Sequence, residues 1–82
     1  MTTPKTAREL VYSVMHDLEP QTQVNDDTEL DSIGYDDAPS KDIIRSAIDH
    51  RHWRGVRLGF GALAGVSKIS QITEAVSEAE TA

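Results

Sequence analysis

Apolar residues recur at helical spacing in three separate stretches of this chain, and this periodicity is the strongest constraint on its fold. Each stripe repeats every three or four residues, which is the pattern of a helix that buries one face. The stripe residues are Ala7, Leu10, Val11, Val14 and Leu18, then Ile44, Ala47 and Ile48, and finally Ile69, Ile72, Val76 and Ala79. The chain is therefore predicted to be all-α.

The first helix is predicted to span about residues 4–18. Two starts fit the sequence, because Thr3 can cap the helix just before a proline and Thr6 with Glu9 can form a capping box. Pro20 ends the helix, since proline cannot continue it. Both starts place the same apolar stripe on the buried face.

The second helix is predicted to span about residues 37–53. Asp36 or Asp37 can cap it, because a short carboxylate accepts hydrogen bonds from free amides at a helix start. Pro39 is tolerated only in the first turn, and Gly55 closes the helix. Ile43 falls at the margin of the buried face, and Trp53 lies near the end of the helix.

Two connecting segments flank this second helix. The segment from 20 to 36 is long and acidic, so we expect an ordered loop that is pinned by three apolar residues. The segment from 55 to 65 holds four glycines, which weaken a long helix but permit a short third helix. The three apolar residues expected to anchor the loop to the core are Val24, Leu30 and Ile33. The residues expected to enter the core from the short helix are Phe60, Leu63 and Val66.

The last helix is predicted to start after Ser67, a plausible cap, and to continue to about Ala79. The full pattern predicts one domain over 1–82, ordered from about 4 to 79, with flexible tails. Its fold class is a small four-helix bundle with a long first loop and a short third helix.

Composition restricts the function. A chain of 82 residues has room for one modest core and no deep catalytic cleft, and without cysteine it lacks disulfides and thiol chemistry. No apolar run suggests a signal peptide or a membrane span, so we expect a soluble cytoplasmic monomer. The net charge of -6 argues against general affinity for nucleic acid or anionic membranes.

Charge is distributed unevenly along the chain. Residues 41–57 carry a formal charge of +3, whereas the remainder sums to -9. The basic side chains of this run are Lys41, Arg45, Arg51, Arg54 and Arg57. Such a run is either an ordinary solvated helix face or a docking surface for an acidic partner. A single aromatic residue within it argues against nucleic acid.

Two phrases resemble the acyl carrier protein family over nearly the whole chain. Residues 27–38 read "DTELDSIGYDDA" against the family phrase "D-T-x-L-x-x-I/L-G-x-D-S-L". Near the other end, "KISQITEAV" resembles the "K-I-T-T-V-x-x-A-I" that opens the family's last helix. The resemblance implies a four-helix bundle of acyl-carrier-protein type.

The resemblance also implies an attachment site that this chain lacks. In the family, the serine of "D-S-L" at the start of helix two carries 4'-phosphopantetheine, and Asp37 occupies that position here. A carboxylate cannot form the phosphodiester that a hydroxyl forms, so we expect no cofactor. Ser32 and Ser40 remain as alternative attachment sites, and 4'-phosphopantetheine is expected only if one of them is used.

The remaining residues suggest binding rather than catalysis. The chain has no cysteine nucleophile, and the acidic loop lacks the spacing of a calcium site, so we predict neither an enzyme nor a metal site. We instead expect a protein partner with an acidic patch, and no nucleic acid or membrane. The residues predicted to contact that partner through helix two are Asp36, Ala38, Lys41, Arg45, Arg51 and Arg54.

Three functions fit these observations. The first is a carrier-protein-like binding or regulatory module in fatty-acid, polyketide or peptide biosynthesis that no longer carries a covalent arm. The second is an active acyl or peptidyl carrier modified on an atypical serine. The third is a free-standing protein interaction domain.

Overall fold

Three α-helices form the protein in the computed structural model, which describes residues 3–81. They are α1 (Ala7–Leu18), α2 (Ala38–Asp49) and α3 (Ile69–Thr81). Short 3₁₀ helices occupy Leu30–Ile33 and Trp53–Gly55. Over residues 3–81 there is no β-strand, and the all-α prediction is confirmed.

Helix α1 begins at Ala7, three residues later than predicted, because Thr6 caps it. The Thr6 hydroxyl accepts a hydrogen bond from the Glu9 amide at 3.2 Å, and the Glu9 carboxylate accepts one from the Lys5 amide at 2.7 Å. These contacts satisfy two amides near the helix start, as in a capping box. The capping residue is therefore Thr6 and not Thr3.

Helix α2 begins as predicted but ends four residues early, at Asp49. Asp37 is its N-cap, and Pro39 lies in the first turn. After Asp49 the chain turns, and both His52 and Arg54 have a φ of 51°. Left-handed backbone at these positions cannot continue an α-helix, so Trp53 enters the core from a 3₁₀ helix.

The predicted short third helix is a series of turns, so residues 3–81 form three α-helices instead of the predicted four. Gly59 and Gly61 have φ values of 86° and 80°, which a right-handed helix excludes. As a result Phe60 points outward and is 88% exposed, so its predicted place in the core is wrong. Leu63 is buried as predicted, and Val66 is half-buried.

Helix α1 packs against both α2 and α3, and the core lies between them. The predicted stripes supply most of it, together with Leu30 from the first loop. The fully buried larger side chains are Leu10, Val11, Val14, Met15, Leu30, Ile44, Ile48, Val56, Leu63, Ile69, Ile72 and Val76. Val24 and Ile33 are half-buried, whereas Ile43 is 54% exposed.

Loop carbonyls and one side chain satisfy the first amides of α3. The amides of Ile69 and Ser70 donate to the carbonyls of Thr28 and Asp26. The Gln71 carboxamide oxygen accepts from the amides of Ser67 and Lys68 at 2.6 and 3.1 Å. The Ser67 hydroxyl donates to the same oxygen, and the first amides of α3 bond to loop carbonyls instead of to Ser67, so the predicted Ser67 cap is wrong.

Helix α3 reaches Thr81, two residues beyond the predicted end. The flexible tails expected from the sequence fall partly on residues 1, 2 and 82, which lie outside the described residues. None of the helices in the part of the chain that the structure describes has the length and apolar character needed to cross a membrane.

Candidate functional site

Asp37, which the family resemblance aligns with the attachment serine, has its carboxylate hydrogen-bonded at the start of α2. It accepts a hydrogen bond from the Ser40 amide at 2.9 Å. The hydroxyl and the amide of Ser40 hold the pKa of Asp37 below its ordinary range, with a smaller contribution from Lys41. Asp37 is thus an exposed, ionised helix cap, and its side chain has no hydroxyl group that could act as a nucleophile.

The two alternative serines lie on different elements. Ser40 is in the first turn of α2, half-buried beside Asp37. Ser32 is exposed in the 3₁₀ helix before Gly34, and its hydroxyl donates to the Glu29 carbonyl at 2.6 Å. Only Ser40 therefore occupies the end of α2 at which the family resemblance places the attachment site.

Arg45 forms a bidentate ion pair instead of a free basic surface. Its guanidinium donates to both carboxylate oxygens of Asp42 at 2.9 and 2.7 Å and to Asp49 at 3.2 Å. The Arg45 side chain is only 17% exposed. Hydrogen bonding to Asp42 raises the pKa of Arg45, although burial acts in the opposite direction.

The same carboxylates hold the loop after α2 against the helix. Asp49 accepts hydrogen bonds from the amides of Leu58 and Gly59 at 2.7 and 3.2 Å, and Asp42 accepts one from Gly61 at 3.4 Å. We call Asp42, Arg45 and Asp49 the loop clamp. These residues are three and four positions apart on one helix face, a spacing that predicts ion pairs between them. The spacing does not predict their hydrogen bonds to the loop.

Three of the other four basic side chains of the run, those of Lys41, Arg51 and Arg54, also have partners within the chain. Arg51 pairs with Asp17 and donates to the Ser13 hydroxyl at 3.1 Å. The Arg54 guanidinium pairs with Glu80, donates to the Lys5 carbonyl at 2.7 Å and lies 4.5 Å from the Trp53 ring centroid. The Lys41 ammonium lies 3.5 Å from the Ala64 carbonyl.

Intramolecular pairing therefore compensates much of the charge that the sequence assigned to a docking face. Asp36 and Ala38, by contrast, are exposed at the start of α2. Contact of all six residues with a partner stays a prediction.

Two large apolar side chains are exposed on and beside α2. Ile43 lies on the helix, and Phe60 stands on the loop that the clamp holds, with its ring centroid 6.0 Å from the Arg45 guanidinium carbon. Sequence reasoning placed Phe60 in the core and so missed it. Exposed aromatic side chains held on a fixed backbone are typical anchors of protein interfaces.

No metal site is formed by the histidine, aspartate and glutamate side chains of the described residues. The His50 ring contacts the Ser46 carbonyl of its own helix at 2.8 Å. No protein-family model, curated protein or solved structure matches the chain.

Proposed function

We propose that the protein is a carrier-protein-like binding module that lacks a covalent arm and docks a protein partner through α2 and the adjoining loop. The observation that carries the proposal is Asp37, which fills the position of the phosphopantetheine serine and uses its carboxylate to cap α2. An acyl-carrier-protein type of fold and a role in fatty-acid, polyketide or peptide biosynthesis belong to this proposal.

The surface around α2 supports the docking half of the proposal. Ala38 and Ile43 are exposed on α2, Asp36 is exposed just before it, and the clamp holds the loop that carries Phe60 against the helix. A fixed loop lowers the entropy lost when an exposed side chain is immobilised in an interface. Ile43 and Phe60 join the residues predicted from the sequence as apolar anchors.

The first test is intact-mass analysis after incubation with coenzyme A and a broad-specificity phosphopantetheinyl transferase. The expected result is an unchanged mass, because Asp37 offers no hydroxyl. A gain of one phosphopantetheine would overturn the absence of a covalent arm. The variants Ser40→Ala and Ser32→Ala would then identify the modified residue.

The second test restores the hydroxyl with Asp37→Ser. Serine and aspartate cap helices about equally well, so the variant should fold. We expect slow or partial modification, because Lys41 presents a positive charge where carrier proteins offer acidic side chains to their enzymes. Adding Lys41→Glu should raise the rate, while Arg45 is left unchanged because it belongs to the clamp.

The outcome of this test separates the candidate functions. Rapid modification of Asp37→Ser alone would mean that the missing serine was the only barrier. A folded double variant that is never modified would overturn the carrier-like proposal and favour a free-standing interaction domain. A matched control adds Ser40→Ala to Asp37→Ser, which should leave the modification of the new serine intact.

A further inference from the structure

A groove lies between the N-terminal segment and the turn after α2, and its lining includes Arg51 and Arg54 of the predicted docking residues. Its volume is about 640 Å³, within the range of roughly 300 to 1,000 Å³ that is usual for small-molecule sites. The lining residues are Thr3, Pro4, Lys5, Leu10, Ser13 and the segment 51–54.

The floor of the groove is apolar. It contains Leu10, which is almost fully buried, and Trp53, which is 6% exposed. The Trp53 indole nitrogen donates to the Pro4 carbonyl at 2.7 Å, so the polar atom of this ring already has a partner. What the floor offers to a ligand is therefore hydrophobic contact.

The rim of the groove is cationic. Lys5, Arg51 and Arg54 line it, whereas the carboxylates that pair with the two arginines, Asp17 and Glu80, do not. Ion pairs that are open to solvent contribute little free energy, so an anionic ligand can compete for these guanidinium groups. Their planar donor groups also match the geometry of a carboxylate.

The backbone that carries the arginines is strained. His52 and Arg54, on either side of Trp53, both have a φ of 51°. Non-glycine residues rarely adopt this conformation, and those that do concentrate at binding and active sites. The strained turn holds Arg51 and Arg54 at the edge of the apolar floor.

We propose that this groove binds a small amphipathic organic anion. The apolar body of the ligand lies along the floor formed by Pro4, Leu10 and Trp53. Its single carboxylate or sulfonate group contacts Arg51, and Arg54 and Lys5 add positive charge along the rim. The inference rests on the groove alone and is independent of whether the domain is carrier-like.

The test is an NMR titration of the ¹⁵N-labelled chain with naphthoate, and with naphthamide as its uncharged analogue. Trp53 is the single tryptophan, so its indole N–H gives one resonance that reports on the floor of the groove. Naphthoate should shift this resonance and the amides of residues 3–13 and 51–54. Naphthamide should bind at least tenfold more weakly, and added salt should weaken only naphthoate.

Matched variants locate the anion contact. Arg51→Met should weaken naphthoate binding about tenfold, and Arg51→Lys should recover part of it. Arg57→Met removes the same charge from an exposed residue outside the groove and should leave binding unchanged. Arg54→Met provides a second reading if Arg51→Met unfolds the chain.

An absence of shifts at millimolar naphthoate would overturn the proposal. So would equal affinity for naphthoate and naphthamide, or equal weakening of naphthoate binding by Arg51→Met and Arg57→Met. Shifts confined to residues outside the groove would likewise assign binding to another site and reject this one.

Discussion

The Asp49 carboxylate lies 2.7 Å from the amide nitrogen of Leu58, and this hydrogen bond joins the last turn of α2 to the loop that follows it. The same carboxylate accepts from Gly59 and pairs with Arg45, although Asp49 is only 8% exposed. A buried carboxylate is tolerated here because each of its contacts is a hydrogen bond or an ion pair.

Removing the Asp49 carboxylate should destabilise the fold. Asp49→Ala leaves two loop amides without an acceptor, so we expect the free energy of unfolding to fall by about 2 to 4 kcal/mol. Urea unfolding followed by circular dichroism measures this change. The control Asp17→Ala removes an exposed ion pair and should cost less than about 1 kcal/mol. Equal losses in the two variants would contradict the clamp.

Stability should fall in acid. Burial alone would raise the pKa of Asp49, but hydrogen bonds from the amides of Leu58 and Gly59 and the ion pair with Arg45 lower it overall. A lowered pKa in the folded state means that the stabilisation is present above the ordinary carboxyl pKa of about 4 and is lost below it.

The pKa values of Asp26, Asp37 and Asp42 are lowered as well. Unfolding midpoints measured from pH 6 down to pH 2 should therefore decrease below about pH 4. Asp49→Asn should flatten this decrease. A variant with the same acid dependence as the parent would show that Asp49 does not contribute to it.

Arg45 should matter to folding and not only to binding. Arg45→Met leaves Asp42 and Asp49 without their shared cation, so its urea midpoint should be clearly lower than that of the parent. Arg57→Met removes the same charge from an exposed position and should leave the midpoint unchanged. If Arg45→Met and Arg57→Met had indistinguishable urea midpoints, Arg45 would instead belong to a solvated basic helix face, as the sequence suggests.

Phe60 and Leu63 should respond in opposite ways to truncation. Phe60→Ala should change the free energy of unfolding by no more than about 0.5 kcal/mol, because the ring is exposed. Leu63→Ala should cost about 2 to 5 kcal/mol, because this side chain is buried. Chemical denaturation distinguishes the two, and a large loss in Phe60→Ala would place the ring in the core after all.

Alanine substitutions at Gly59 and Gly65 test the turn conformation of this loop without altering side-chain contacts. An added Cβ has no neighbour within 4 Å at either position, but only Gly59 has a positive φ, at 86°. Gly59→Ala should therefore cost about 1 to 2 kcal/mol, whereas Gly65→Ala should be neutral or stabilise by up to about 1 kcal/mol. Thermal melting of both variants checks the difference, and a helical 59–65 segment would instead make both variants more stable than the parent.

The sequence by itself determined the features that depend on neighbours within a few residues. The apolar stripes predict all three helices because helical periodicity is local. The adjacent Asp36 and Asp37 likewise predict a carboxylate cap for α2, and the structure assigns that role to Asp37. The burial of Leu30 in an otherwise polar loop was also readable, since a lone large apolar side chain is stabilised by leaving water.

Only the tertiary structure decided where α2 ends, where Phe60 points and what the basic residues contact. The end of α2 depends on the burial of Trp53, whose indole bonds to Pro4, 49 residues away. Arg51 and Arg54 find their partners on α1 and α3, which no local pattern places beside them. These contacts join segments distant in the chain, so their free energy arises only once the core has brought those segments together.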